Sequence, residues 1–183
     1  IMFLDSDDYY DLRAVEYLVD LRDKYDVDLV VTSIVEVRDH KINNIGESLS
    51  LENSKKLDKD EALVQMFYGN SVGTHPGGKL YKKDILLKYP YPEGMIYEDL
   101  AIAYEHIAAS GEIAVGSINL YKYYRRSGST VNSAYSTKLL DFYKAMDCNR
   151  NYVERDFSTN QEMRRALNVR YVFNGLHIVH ALL

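Results

Sequence analysis

The run Leu29-Val30-Val31-Thr32-Ser33-Ile34-Val35-Glu36-Val37 leaves this chain the fewest structural choices. Its β-branched residues fit a pleated, half-buried surface and restrict χ1 against a helix, so residues 28–37 read as a strand. Directly before it, residues 12–25 carry a helical period, with Leu12, Val15, Leu18 and Val19 on one face. A helix feeding an apolar strand is the repeating unit of α/β folds. At 183 residues the chain can bury one such core and still carry a helical extension.

The remaining pattern extends this reading. Residues 1–4 are apolar and read as a strand running into the acidic loop Asp5-Ser6-Asp7-Asp8, with Asp8 or Asp11 placed to cap the next helix. Residues 38–56 are polar and aperiodic and read as a loop or a mobile hairpin. Asp58 with Glu61 forms a capping box for a helix through Tyr68. Residues 79–81 predict a short strand and 83–87 a helical turn. After the extended loop forced by Pro90, Pro92 and Gly94, a helix starts at Glu98-Asp99 and stops at Gly111. Residues 113–124 alternate as one long strand or a hairpin. Two helices close the sequence, over about 136–155 and from a capping box at Thr159 and Glu162 onward. Their apolar residues (Leu139, Leu140, Phe142, Tyr143 and Met146 on the first; Leu167, Val172, Phe173, Leu176 and Val179 on the second) suit an antiparallel pair.

Three groups of residues carry chemistry. Asp5, Asp7 and Asp8 crowd the end of an apolar strand, and unit charges at 4 Å repel by about 1 kcal/mol in water and more where water is excluded. A hard divalent cation such as Mn²⁺ or Mg²⁺ relieves that repulsion and takes its other ligands from substrate phosphates. Glu98-Asp99 opens a helix, whose free amides hold a carboxylate ionised; a general base needs that state. Arg125 and Arg126 beside Ser127-Gly128-Ser129 suit a pyrophosphate, and Lys79 behind Gly77-Gly78 could approach a phosphate or a sugar. The histidines add little: His75 and His106 stand isolated, and His177 with His180 lacks a nearby third ligand.

Composition narrows the partners. The net charge of -5 disfavours a nucleic-acid-binding face. A single cysteine, Cys148, makes a reducing compartment, the cytoplasm, the default. The first residues lack the basic and long apolar regions of a signal peptide, and residues 171–183 are too interrupted to span a bilayer.

Four short segments in order resemble one family. Phe3-Leu4-Asp5-Ser6-Asp7-Asp8-Tyr9 is similar to the D-x-D signature of family 2 glycosyltransferases. Gly78-Lys79-Leu80-Tyr81-Lys82-Lys83, Pro92-Glu93-Gly94-Met95-Ile96-Tyr97-Glu98-Asp99-Leu100 and residues 121–129 resemble the elements that follow it there. The resemblance covers residues 1–130 and implies a GT-A-like mixed sheet flanked by helices, with 131–183 as a C-terminal helical extension. It implies inverting transfer from a nucleoside-diphosphate sugar, a UDP-sugar first, to a saccharide or glycolipid hydroxyl. By the same resemblance Asp7 binds a divalent metal, Asp5 sits near the ribose or the metal, and Asp99 is the general base. Glu98 positions the acceptor and Arg126 contacts the diphosphate. Family members carry βα units ahead of the D-x-D strand that hold the nucleotide, and this sequence begins at that strand. The expectation is therefore a domain truncated at its N-terminus, active as part of a longer enzyme. Peripheral association with the inner face of a membrane and pairing of two copies through open strand edges are both compatible with it.

Two other classes compete. In a haloacid-dehalogenase-like phosphohydrolase, Asp5 would be the nucleophile and Asp7 the acid/base, with Thr32 or Ser33, Lys79 and Glu98/Asp99 completing the site. Tyr9 stands where that pattern expects a small residue. A non-catalytic acceptor-binding scaffold is the third reading. A calcium loop over Asp5, Asp7 and Glu16 fails because Tyr10 occupies the position that needs glycine.

Overall fold

The computed structural model describes residues 1–37, 49–124 and 137–180. Its larger sheet runs β4(Lys55–Asp58), β6(Glu112–Val115), β2(Leu29–Val31), β5(Lys79–Tyr81), with β2 parallel to β6 and the outer strands antiparallel. The smaller sheet runs β1(Tyr9–Tyr10), β7(Tyr121–Tyr124), β3(Ile34–Val37). Among the described residues, six α-helices flank them: α1(Ala14–Tyr25), α2(Lys59–Tyr68), α3(Lys83–Lys88), α4(Glu98–Ser110), α5(Asp141–Asp156) and α6(Gln161–His180).

Strand alternation divides the core in two. Leu29, Val31, Ile113 and Val115 point to one face of the larger sheet, into a cluster with Leu63, Phe67, Ile107, Phe142 and Leu167 from α2, α4, α5 and α6. Val30 and Ala114 point to the other face, where α1 covers them with Ala14, Tyr17, Leu18 and Leu21. A strand buried on both faces has no polar side to show, which accounts for the unbroken apolar run in β2.

Several sequence expectations are corrected here. The single strand over 28–37 is two: the chain leaves the larger sheet at Thr32-Ser33 and re-enters pairing in the smaller one. Residues 113–124 make the same move, so β6 and β7 are no hairpin. The expected loop over 38–56 ends early, because Lys55 and Lys56 already pair with β6; residues 38–48 lie outside the described residues. Residues 1–4 form no regular strand, yet the Ile1 amine donates to the Tyr81 carbonyl at 2.7 Å and the Ile1 carbonyl accepts the Tyr81 N–H at 2.9 Å. They therefore lie along the β5 edge.

The helices bring further corrections. α1 buries Ala14, Tyr17, Leu18 and Leu21 and leaves Leu12 and Val15 exposed, because Tyr17 sends its hydroxyl to the Ser117 N–H (3.2 Å). Asp11, not Asp8, precedes the helix, accepting from the Arg13 N–H at 3.0 Å. The capping box of α2 is present, with Asp58 and Glu61 satisfying each other's backbone N–H. On α6 the cap is Asn160, which accepts from the Met163 N–H at 3.0 Å; Glu162 instead accepts from the Tyr68 hydroxyl. α6 packs through Met163, Ala166, Leu167 and Ile178, and Val172, Phe173, Leu176 and Val179 stand exposed rather than against α5. Among the described residues, no helix is long and apolar enough to cross a membrane.

Candidate active site

The acidic loop joins the two sheets, and its three carboxylates have different surroundings. Asp8 is buried. It accepts from the Tyr121 hydroxyl at 2.6 Å and from the Tyr124 N–H at 2.9 Å, and so anchors the loop to β7. Burial and this bond to Asp8 push the Tyr121 hydroxyl far above its ordinary pKa, keeping it a donor. Asp5 is exposed and Asp7 half-buried.

The turn ahead of β5 supplies what Asp5 faces. His75 Nε2 lies 3.4 Å from Asp5 Oδ2. Its Nδ1 accepts the Gly77 N–H at 2.9 Å, and a backbone N–H can only donate. The proton of neutral His75 is therefore on Nε2, aimed at Asp5. This residue looked isolated in the sequence; the fold brings it to the acidic loop. Asp5, Asp8 and His75 also have potential ligand atoms within 4.8 Å of one another. A protonated Nε2 cannot ligate a cation, and Asp8 is committed to β7, so that trio fits a metal poorly. Carboxylates completed by phosphate oxygens suit Mn²⁺ or Mg²⁺ better.

Two glycines make the turn possible. A Cβ on Gly77 would lie 2.4 Å from Tyr121 Cε2. Gly78 adopts φ 73°, donates to the Tyr10 hydroxyl at 2.9 Å, and accepts at its carbonyl from both the N–H and the hydroxyl of Thr32.

Asp99 sits in the first turn of α4. Tyr97, just ahead, is held in the left-handed region at φ 65°, ψ 28°, a conformation costly for an aromatic residue. Its ring packs edge-on against Phe142, and the Ile96 N–H donates to Asp141 Oδ2 at 3.3 Å, so α5 fixes the entry to α4. Glu98 is exposed and Asp99 half-buried. Asp99 Oδ2 accepts from the Thr74 hydroxyl at 2.8 Å. Adjacent residues of one turn, Thr74 and His75, thus reach the two acids, Asp99 and Asp5.

Lys79, read from the sequence as a phosphate or sugar contact, is buried, with Nζ donating to the Gly73 carbonyl at 2.6 Å and the Thr74 carbonyl at 3.2 Å. Burial lowers its pKa to about 7, against the field of Asp99, which raises it. Between about pH 7 and about 10 the unfolded chain thus holds a proton that the native chain has released. Stability is therefore expected to rise with pH across that window, by up to roughly 1.4 kcal/mol per unit. Urea-unfolding midpoints measured at pH 7 and pH 9 check this, and Lys79→Met is expected to flatten the rise. Arg170 of α6, which the sequence gave no reason to single out, is largely buried, and the charge of Asp99 acts on it. Its Nε is buried without a hydrogen-bond partner among the described residues.

Of the sequence-predicted site residues, Asp5, Asp7 and Asp8 lie on one loop, and Asp99 and Lys79 both contact Thr74, the first at its hydroxyl and the second at its carbonyl. Arg126 lies outside the described residues, as do the side chains of His177 and His180. Thr74 and His75 were missed; the turn signal of Pro76-Gly77-Gly78 beside Lys79 is the feature that could have drawn attention to them. A groove of about 620 Å³ lies elsewhere, along α6 between Gln161 and Leu176, and no acid of this site lines it.

The fold is GT-A-like: Rossmann-related mixed α/β, with two mixed sheets flanked by helices. It is shared with Staphylococcus aureus TarS. Residues 1–349 of TarS in complex with UDP-GlcNAc match with a TM-score of 0.68 and 19% identity, over 99% of this chain and 55% of that one. TarS 1–349 in complex with UDP gives 0.59 and 17%, over 91% and 44%. The longer TarS chain gives 0.61 and 18%, over 94% and 28%. The chain thus spans about half the length of the TarS 1–349 chains, or less. No family model and no curated protein matches it.

Proposed function

We propose that this chain carries the acceptor side and the catalytic base of a metal-dependent, inverting glycosyltransferase that uses a nucleoside-diphosphate sugar, UDP-linked in the first instance. The observation that carries the reading is the turn at 73–78, which touches the acid of a D-x-D loop through His75 and the acid of a helix start through Thr74. Its support is the fold shared with TarS, a protein solved with UDP-GlcNAc and with UDP.

In this mechanism Asp99 takes the proton of the acceptor hydroxyl as its oxygen attacks the anomeric carbon. The bond from that carbon to the diphosphate breaks, and the diphosphate leaves with the electron pair. One displacement inverts the configuration. Asp7, with Asp5 beside it, would hold Mn²⁺ or Mg²⁺, whose charge offsets that developing on the leaving diphosphate. Glu98, exposed beside the base, orients a saccharide or glycolipid acceptor, and Arg126 contacts the diphosphate. Residues 1–130 supply this chemistry and 131–183 serve as a C-terminal extension, in a protein working on the cytoplasmic side of a membrane.

The phosphohydrolase alternative is less well served. It needs Thr32 or Ser33, together with Lys79, turned to a phosphate, and Thr32 and Lys79 both donate to carbonyls of the turn.

Calorimetric titration of UDP with and without Mn²⁺ tests the reading. Metal-dependent binding that weakens at least tenfold in Asp7→Ala is the expected result. The reading fails if neither this chain nor a form extended at its N-terminus binds UDP or another nucleoside diphosphate.

A further inference from the structure

We infer that Thr74 and Lys79 are positioning residues that set the orientation of Asp99, an inference that rests on the base role proposed for it. Lys79 comes up from β5 and is buried beneath the turn. Its Nζ holds the Gly73 carbonyl at 2.6 Å and the Thr74 carbonyl at 3.2 Å, which fixes the backbone that carries the Thr74 side chain. The Thr74 hydroxyl then donates to Asp99 Oδ2 at 2.8 Å. A carboxylate has two oxygens, and a hydrogen bond to one leaves the other to receive the acceptor's proton.

The donor matters as much as the bond. A hydroxyl neutralises nothing, so it orients Asp99 without the strong charge pairing a Lys or Arg contact would impose. The Lys79 amine is spent on the Gly73 and Thr74 carbonyls.

The same turn carries the other acid contact. Gly77 fixes the His75 ring through its N–H, and His75 meets Asp5. The spacing between the acceptor-side base and the D-x-D loop is therefore set by two neighbouring residues on a backbone that Lys79 pins.

The test has a structural and a kinetic arm. Thr74→Val keeps the side chain's shape and removes the hydroxyl. Its crystal structure is expected to show the Asp99 carboxylate turned away from residue 74, and that of Lys79→Met to show the 73–75 backbone displaced. An Asp99 orientation unchanged in both overturns the inference. In transferase assays Thr74→Val is expected to lower kcat at least tenfold with KM and UDP affinity within twofold of wild type, and Thr74→Ser to restore kcat. A merely structural role would lower melting temperature and would not split kcat from KM in this way. Wild-type kcat in Thr74→Val overturns the inference while leaving Asp99 as the base. A wild-type protein that transfers no sugar removes the functional reading and leaves the crystal structures to decide the positioning.

Discussion

Asp99→Asn is expected to lower kcat for sugar transfer by about 10²- to 10⁴-fold while UDP affinity stays within twofold of wild type. Asparagine keeps the shape of the side chain, and its carbonyl oxygen can still accept from the Thr74 hydroxyl, so the contact at Oδ2 survives. What is lost is the ability to take a proton. The nucleotide would bind at the acidic loop, which reaches Asp99 only through the intervening turn, so its affinity should not follow the loss. Initial rates with saturating acceptor, set beside calorimetric UDP titration and a melting curve, separate the two effects. A variant that retained more than a tenth of wild-type kcat would remove Asp99 from the base role and move attention to Glu98.

Gly77→Ala is expected to cost more in stability than any other single methyl on this turn. The added Cβ would lie 2.4 and 2.5 Å from the Tyr121 ring and 2.8 Å from His75 Cε1. Tyr121 cannot easily yield, because it is fully buried, bonded to Asp8 and packed edge-on against Tyr10. Overpacking of this kind costs about 1–3 kcal/mol, and a rigid ring places it at the upper end. That is a large part of the roughly 5–15 kcal/mol that holds an ordinary domain together. Gly73→Ala is the control, since among the described residues nothing lies within 4 Å of the methyl it would add, and it should stay within about 0.5 kcal/mol of wild type. Urea midpoints of the two variants check the difference. Equal midpoints would mean that the turn is far softer than its packing suggests.

Where local chemistry decided the outcome, the sequence could be read directly. The reciprocal cap of α2 follows from Asp58 and Glu61 alone, and α4 begins at Glu98 and ends ahead of Gly111 because a loop and a glycine bound it. The GT-A-like class was what the resemblance of four short segments to a known family implied, not something the order of elements showed. Faces were harder. The buried side of α1 turns on Tyr17, whose hydroxyl finds the Ser117 N–H only after folding, so hydropathy favoured Leu12 and Val15 instead. On α6 the expected apolar face holds only at Leu167, which is buried beside Met163 and Ala166, whereas Val172, Phe173, Leu176 and Val179 of the same expected face stand exposed. The site was legible in part. Asp5, Asp7, Asp8 and Asp99 stand out by type and context, whereas His75 reaches Asp5 across 70 positions of sequence, and no local pattern reports such a meeting.

Three segments pass from the larger sheet to the smaller: the acidic loop between Ile1 and β1, Thr32-Ser33 between β2 and β3, and the stretch between β6 and β7. The two sheets are therefore successive lengths of the same chains, not separate layers that dock after forming. Neither can melt alone without pulling on the other, so they belong to one cooperative unit. The acids for the donor lie on one of those three joints. Ligand that tightens this joint restrains a fold-wide seam, and a site placed there turns local binding into stiffness shared by both sheets.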